Sequence, residues 1–335
     1  MKVWTRLEHY QPDPKRPLIL ALGNFDGVHL GHQEIIRLVL ERAQKRKGTP
    51  AVLTFFDHPQ RVLHHAKEPG LLTSPQHRLF LFQNLGIEIC FLLRFTLSFS
   101  KTSAETFVEE FLIKRLAVKE IHLGYNAHFG FGRGGDCELM RKLAKRFGFE
   151  FHEMEPVKQG GGFISSSLIR QAIKEGDLER AGRLLGRPFS ITAQVIRGRG
   201  RGKSLGFPTA NLKPHSEILP PRGVYPAEVR EHSFLLKPFL PKNGFLYEAK
   251  EPGKWMQGIL NLGSRPTFGN GGIEIPEVFL FDFNGNLYRK TVEVVFHPKL
   301  RDEKKFRNTE ELRQAIEEDV SRAKKYFHRI SLQSL

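Results

Sequence analysis

Two histidines lie close together in the stretch GNFDGVHLGHQEII, residues 23–36. His29 and His32 are three positions apart, so they share a face if this stretch begins a helix. Three kinds of chemistry fit the pattern: metal ligation, proton transfer, and hydrogen-bond donation to a phosphate. A metal pair needs at least one further protein ligand, and no nearby carboxylate or cysteine has an obvious spacing for one. A structural interpretation, with two capping or packing histidines, also stays open at this point.

The position of the histidines at a strand–helix junction favours a phosphate. The apolar run LILALGNF predicts a strand, and EIIRLVLERAQKRK predicts a helix soon after it. Unpaired N–H groups and the dipole at such a helix start attract an anion. Gly23, Gly27 and Gly31 allow the backbone to approach a ligand closely.

Strand candidates alternate with helix candidates over residues 18–157, and these elements must position the junction. The alternation predicts an α/β fold with a doubly wound parallel sheet, which binds ligands at the carboxyl ends of its strands. From Phe189 onward, period-2 runs broken by Gly and Pro predict a mainly antiparallel β-barrel with a C-terminal helix. We therefore predict two domains, residues 1–186 and 187–335. The segment 231–254 is expected to form a long connection or a hairpin.

The composition indicates a globular protein that binds anions. The formal net charge is +16, from 52 Lys and Arg against 36 Asp and Glu, and the pI is about 9.9. Nucleic acid is one possible partner, but the basic residues are scattered and lack interleaved aromatic side chains. No apolar run approaches the roughly 20 residues of a membrane span, and the N-terminus lacks a signal-peptide pattern. Cys90 and Cys137 lie far apart, so we expect no disulfide framework and a cytoplasmic location.

Two glycine-rich stretches imitate nucleotide-binding fingerprints. GFGRGG, residues 130–135, satisfies G-x-G-x-x-G, but YNAHF separates it from the preceding strand candidate EIHLG. GKS, residues 202–204, ends like a P-loop, but that motif needs a glycine where Arg197 stands. We expect neither a Rossmann dinucleotide site nor a P-loop.

The histidine motif resembles a known signature. GxFDGVHxGH is similar to the HxGH signature of nucleotidyltransferases in the form carried by bacterial FAD synthetases, and ISSSLIR resembles their ISSTxIR motif. The resemblance implies that His29, His32 and Arg170 stabilise the charge that develops when FMN is adenylylated by ATP, a reaction that depends on positioning and electrostatics. It also implies contacts to ATP or flavin at Gly23, Asn24, Phe25, Gly31, Asn126, Ser165 and Ser166.

The first domain departs from this family at four positions. In TFFDHPQRVL, Phe56 stands where the family often has an acidic residue, and Asp57 stands where proline is usual. In LGYNAHFGFGRGGD, Ala127 and His128 replace the usual Phe and Arg. These departures motivate a second hypothesis, in which the first domain only binds nucleotide and adenylylation is lost.

The second domain contains a different signature. RGRGRGKSLGFPTANL, residues 197–212, resembles the flavokinase signature, and PRGVY and NLGSRPTFGNG follow in the family's order. The resemblance implies that Thr209 and Asn211 hold Mg²⁺ and ATP phosphate with their oxygens, and that Glu277 accepts the proton of the ribityl 5′-hydroxyl. The binding residues implied here are Gly200, Gly206, Pro208, Thr209 and Asn211. Arg289 departs from the family, which has glycine there.

Together the motifs identify the chain as a member of the bacterial bifunctional riboflavin kinase/FMN adenylyltransferase (FAD synthetase) family. The implied substrates are riboflavin, FMN and ATP, with Mg²⁺ as cofactor and the flavin as substrate and product. No membrane or nucleic-acid partner is expected. The alternative of a basic nucleic-acid-binding protein predicts salt-dependent DNA or RNA affinity without flavin turnover.

Overall fold

The computed structural model describes residues 1–64, 70–160, 162–198, 202, 205–215, 218–239, 244–250, 252–263 and 276–333. The chain forms two compact units. The first contains Met1–Leu71, Pro75–Ser166 and Phe234–Ala249, and the second contains Leu72–Ser74, Ser167–Ser233 and Lys250–Leu335. Within the described ranges, no helix combines the length and the apolar character that a bilayer span requires.

The elements are numbered in chain order. The strands are β1 (Lys2–Trp4), β2 (Leu18–Leu22), β3 (Thr49–Phe55), β4 (Ile89–Leu93), β5 (Val118–Gly124), β6 (Glu150–Met154), β7 (Lys158–Gln159), β8 (Gly162–Phe163), β9 (Ser190–Ile196), β10 (Thr209–Pro214), β11 (Gly223–Glu231), β12 (Phe234–Phe239), β13 (Gly244–Ala249), β14 (Met256–Leu262), β15 (Glu277–Leu280) and β16 (Thr291–Phe296). The helices are α1 (Leu30–Arg46), α2 (Pro59–His64), α3 (Pro75–Leu85), α4 (Ala104–Thr106, continued by a π-helix over Phe107–Arg115), α5 (Cys137–Phe147), α6 (Ser166–Glu175), α7 (Leu178–Leu185) and α8 (Thr309–Gln333). Short 3₁₀ turns cover Leu7–His9, Phe99–Lys101 and Phe131–Arg133.

The first unit is built on a sheet whose strand order is β12-β13-β1-β4-β3-β2-β5-β6. All neighbouring pairs from β1 to β6 are parallel. Successive residues of a strand enter different apolar clusters: Leu20 packs on one face of the sheet and Ile19 on the other. Burial on both faces explains why β2 reads as the unbroken apolar run LILAL. The predicted doubly wound α/β sheet is confirmed.

The segment 231–254 forms a hairpin that extends this sheet. Strands β12 and β13 pair antiparallel, and β13 pairs antiparallel with β1, with Lys2 opposite Leu246. The N–H of Tyr247 donates to the Met1 carbonyl at 2.9 Å, and the Tyr247 side chain is fully buried in the apolar cluster. A stretch inserted between two barrel strands thus completes the sheet of the other unit.

The second unit contains a closed barrel with the order β10-β15-β14-β11-β16-β9, in which every pair is antiparallel. Helix α8 packs against it through Ala323 and Phe327, which join Val224 and Ile259 in one apolar cluster. The predicted antiparallel barrel with a C-terminal helix is confirmed. Arg289 has φ 65°, a left-handed conformation that glycine adopts with least strain, and this explains the family's preference there.

Candidate active sites

The first site lies at the carboxyl edge of the parallel sheet. Strands β3, β2 and β5 are neighbours in the sheet, so the segments that follow Phe55, Leu22 and Gly124 leave it side by side. These are the segments that contain the departures at Phe56 and Asp57, the histidine motif, and Asn126. The sequence expectation that they share one edge agrees with this strand order.

His29 is the N-cap of α1. Its Nδ1 accepts a hydrogen bond from the N–H of His32 at 3.4 Å, and the two rings stack with centroids 3.6 Å apart. An imidazole that accepts at Nδ1 carries the hydrogen of its neutral form on Nε2, so Nε2 is a donor. Gly31 leaves room for the His29 ring, because a Cβ there would lie 3.2 Å from His29 Cε1, slightly closer than an ordinary contact. The capping and donor interpretations of His29 are therefore compatible.

The loop before the helix is held in a strained conformation. Phe25 has φ 50° and Val28 has φ 41°, values that cost non-glycine residues energy unless surrounding contacts enforce them. Phe25 is 1% exposed, and its ring packs edge-on against the His32 ring at 5.1 Å. Ser166 Oγ donates to the carbonyl oxygen of Asp26 at 2.9 Å. A Cβ on Gly23 would lie 3.3 Å from the Phe25 ring.

The remaining predicted residues of the first motif set occupy different places. Asn126 is exposed in the turn after β5, where the Ala127 N–H donates to the Gly124 carbonyl at 2.9 Å. Ser165 is half-buried directly before α6. Arg170 lies on α6, 8% exposed, in the second unit of the chain.

Two observations bear on the departures from the family. Phe56 packs against the apolar cluster that contains Phe25, and Arg94 lies over its ring at 5.9 Å. Ala127 packs against the cluster on the other face of the sheet. Both residues are used as packing groups.

The second site lies on one face of the barrel. Thr209 and Asn211 are two apart on β10, so their side chains project to the same face. Strand β15 places Glu277 directly opposite Asn211 and Phe279 opposite Thr209. Glu277 is also paired with Asn261 of β14. Side chains of directly opposed residues begin about 5 Å apart, so the register brings the predicted base next to the predicted phosphate and metal ligands.

Two glycines enclose the polar side chains of β10. A Cβ on Gly198 would lie 1.9 Å from Asn211 Nδ2, and one on Gly202 would lie 2.3 Å from the Phe207 carbonyl oxygen and 3.1 Å from Thr209 Oγ1. The glycine backbone therefore lies directly against the side chains of both candidate ligands, Thr209 and Asn211. Asn211 is 3% exposed. Gly198 was not singled out from the sequence, although it belongs to the stretch RGRGRG, residues 197–202, which we call the glycine-rich arm.

The flavokinase signature contains three further predicted binding residues, Gly200, Gly206 and Pro208. Gly206 has φ 84° in the turn that leads to Pro208 and β10. Gly200 lies outside the described residues, as do residues 264–271 of the NLGSRPTFGNG motif. A threonine hydroxyl and an asparagine amide oxygen are the hard oxygen donors that Mg²⁺ takes together with phosphate, so the residues present fit this ion.

Sequence reasoning missed Arg78 of α3 in the first unit. This side chain is 3% exposed, and its Nη1 donates to the Asn24 carbonyl at 2.8 Å. The signal that could have found it is a lone arginine among apolar residues in HRLFLFQNLG. An arginine at such a position must be hydrogen-bonded to be buried.

Comparison with known proteins agrees with this division into two sites. The profile of the FAD synthetase family matches residues 11–168, and that of the riboflavin kinase family matches residues 185–327. The bifunctional riboflavin kinase/FMN adenylyltransferase of Haemophilus influenzae is 34% identical over 309 residues, which are 92% of this chain and 94% of the relative. The proteins of that name from Escherichia coli K12 and Bacillus subtilis are 32% and 34% identical and cover 98% and 96% of this chain, with the same shares of their own lengths.

A solved structure also matches most of the chain. It is described as a macrolide-efflux protein from Streptococcus pneumoniae, is 30% identical, and superimposes with a TM-score of 0.75 over 92% of this chain and 93% of its own. The matched profiles together span most of the chain, and the relatives cover it almost completely. The chain belongs to the family of bifunctional riboflavin kinase/FMN adenylyltransferases.

Proposed function

We propose that this chain makes FAD from riboflavin in two ATP-dependent steps. Riboflavin kinase chemistry converts riboflavin and ATP to FMN and ADP, and FMN adenylyltransferase chemistry converts FMN and a second ATP to FAD and pyrophosphate. Residues 187–335 perform the first step and residues 1–186 the second. The observation that carries the proposal is the barrel register, which pairs Glu277 with Asn211 across neighbouring strands.

In the kinase step, Glu277 is the general base. Its carboxylate accepts the proton of the ribityl 5′-hydroxyl while that oxygen bonds to the γ-phosphorus of ATP and the bond to ADP breaks. Thr209 and Asn211 orient the phosphates and would hold Mg²⁺ with their oxygens, and Gly198 and Gly202 keep side chains out of the space beside them. Bound Mg²⁺ supplies charge neutralisation on the phosphate oxygens.

In the adenylylation step, the chain provides positioning and electrostatic stabilisation. A phosphate oxygen of FMN bonds to the α-phosphorus of ATP, and the bond to the leaving pyrophosphate breaks. His29 and His32 donate hydrogen bonds to the phosphates at a helix start that already favours negative charge. Support comes from the cap geometry, because Nδ1 acceptance leaves Nε2–H of His29 as a donor.

Further site residues are proposed from the family resemblance. The backbone around the ATP phosphates consists of Gly23, Asn24, Phe25 and Gly31. Contacts to ATP or FMN come from Asn126, Ser165, Ser166 and Arg170. Gly200, Gly206 and Pro208 shape the arm over the nucleotide of the kinase site. We also propose a cytoplasmic location and no nucleic-acid partner; the two cysteines are free and buried, as suits a reducing compartment.

A flavin separation tests the function. The protein is incubated with riboflavin, ATP and Mg²⁺, and the products are separated chromatographically; we expect FAD. Accumulation of FMN alone would support the second hypothesis, that adenylylation is lost, which the departures at Phe56, Asp57, Ala127 and His128 motivate. Unchanged riboflavin would overturn both activities.

A pair of variants assigns the steps to their sites. Glu277→Gln should stop FMN formation, by about 10²–10⁴-fold for loss of a general base, and still convert added FMN to FAD. The double variant His29→Ala/His32→Ala should lose FAD formation and retain the kinase. Loss of both activities in either variant would contradict independent sites.

A further inference from the structure

Arg78 is a buried cation that the recognised motifs leave without a role. It lies on α3 and is 3% exposed. Burial lowers the pKa of Arg78, while Asp26 and Asp57 act in the opposite direction, and an arginine keeps its charge inside a protein. Burying a guanidinium is costly unless its N–H groups are hydrogen-bonded.

The acceptors of Arg78 belong to the ends of two neighbouring strands. Nη1 donates to the carbonyl oxygen of Asn24 at 2.8 Å and to Thr54 Oγ1 at 3.2 Å. Nη2 donates to the carbonyl oxygens of Phe55 at 2.8 Å and Phe56 at 3.0 Å. These four acceptors are neutral, and the negative charge that faces the guanidinium comes from Asp26 and Asp57. One planar fork ties the loop after β2 to the end of β3.

The loop that Arg78 holds is the strained one that leads to the histidines. Phe25 follows Asn24 directly and has φ 50°, a conformation that persists only where contacts enforce it. Thr54 Oγ1 donates to the same Asn24 carbonyl at 2.9 Å. Phe82, four residues after Arg78 on α3, packs edge-on against the Phe25 ring with centroids 5.6 Å apart. One face of α3 therefore anchors both the backbone and the side chain of this loop.

We propose that Arg78 is a positioning residue for adenylyl transfer: its fork fixes the loop that aims His29 and His32 at the ATP phosphates. The inference rests on the proposed function of the first site. Arg78 acts through the Asn24 carbonyl and the end of β3, and it does not itself touch the reacting atoms. A lysine in its place keeps the charge and loses the fork.

The test separates the fork from the charge. In Arg78→Lys we expect kcat for converting FMN and ATP to FAD to fall by about 10- to 100-fold, because displacing a catalytic group by about 1 Å costs that much. KM for ATP should stay within about threefold, since the charge remains. Arg78→Met removes both properties, so kcat should fall and KM for ATP should rise. Riboflavin kinase activity of each variant, measured on the same full chain, should be unchanged.

A matched control uses the same substitution elsewhere in the first unit. Arg115 also binds a backbone carbonyl, with Nε donating to the Leu7 oxygen at 2.9 Å, but it ends the helix that precedes β5 and lies at the amino end of that strand. Arg115→Lys should leave both activities unchanged. If the Arg78 variants do not fold, Thr54→Val decides the question, because it removes the hydroxyl shared by Arg78 and the Asn24 carbonyl at nearly constant volume. We expect a several-fold lower adenylylation kcat with unchanged kinase.

The outcomes that overturn the inference are specific. Arg78→Lys with the kcat of the unaltered protein would show that the charge suffices. Thr54→Val with unaltered kcat would show that weakening the network around the Asn24 carbonyl does not affect the reaction. An equal loss in Arg115→Lys would show a general effect on folding. Each result presupposes that the unaltered protein makes FAD from FMN; failure of that reaction would refute the proposed function itself.

Discussion

A single methyl group on Gly198 is expected to lower the kinase activity strongly and spare adenylylation. In Gly198→Ala the new Cβ would lie 1.9 Å from Asn211 Nδ2 and 2.6 Å from its Cγ. An ordinary contact begins at about 3.4 Å, so the arm or the amide must move by about 1.5 Å. Asn211 is 3% exposed in the barrel wall and has little room to move.

The expected magnitude follows from this displacement. A shift of about 1 Å in a group that orients a substrate costs roughly 100-fold in rate, so kcat/KM for riboflavin phosphorylation should fall by about that factor or more. The assay is steady-state FMN formation at saturating ATP and Mg²⁺, with conversion of added FMN to FAD as the internal control. Gly182→Ala on α7 is the matched variant, because its Cβ would make only an ordinary contact of 3.5 Å with the Arg187 carbonyl oxygen. A Gly198→Ala protein with full kinase activity would refute the role of Asn211 in this orientation.

Three further predictions concern stability. Replacing residues 234–249 by a short linker should lower the thermal midpoint of the first unit, because β1 loses its partner β13 and buried Tyr247 is removed. Kinase activity should remain measurable. An unchanged thermal midpoint of the first unit would contradict this prediction. Burial alone would raise the pKa of Glu120, but hydrogen bonds from His122 and Arg42 hold it at about 2, below its usual 4.5. Its contribution to stability is therefore complete above about pH 4.5 and is lost as the pH falls toward 2, so the gap in urea midpoint between the unaltered protein and Glu120→Gln should shrink between pH 7 and pH 3. Arg289→Gly should raise the free energy of unfolding by up to about 1 kcal/mol, because it relieves φ 65°, and a lower urea midpoint would count against this.

The sequence alone determined the features that depend on neighbours along the chain. Strand–helix alternation and unbroken apolar strands predicted the parallel sheet, and period-2 runs predicted the barrel, because side-chain periodicity is a local property. His29 and His32 could be recognised for the same reason, since a helix start and its cap lie within a few residues of each other. Thr209 and Asn211 could be recognised through the resemblance of residues 197–212 to the flavokinase signature, which lies within one short stretch of the chain.

Which distant residues meet depends on the way the chain folds. Glu277 lies opposite Asn211 because the closed barrel sets the register of β15 against β10, and a shift of one residue would turn Glu277 to the other face. The three-residue strand β1 and the hairpin 234–249 gain their place by pairing with each other, which no local periodicity predicts. The role of Arg78 depends on carbonyl groups at two strand ends, and backbone acceptors leave no mark in the amino-acid sequence. Long-range hydrogen bonds and register, set by closure of the sheet and the barrel, complete both sites.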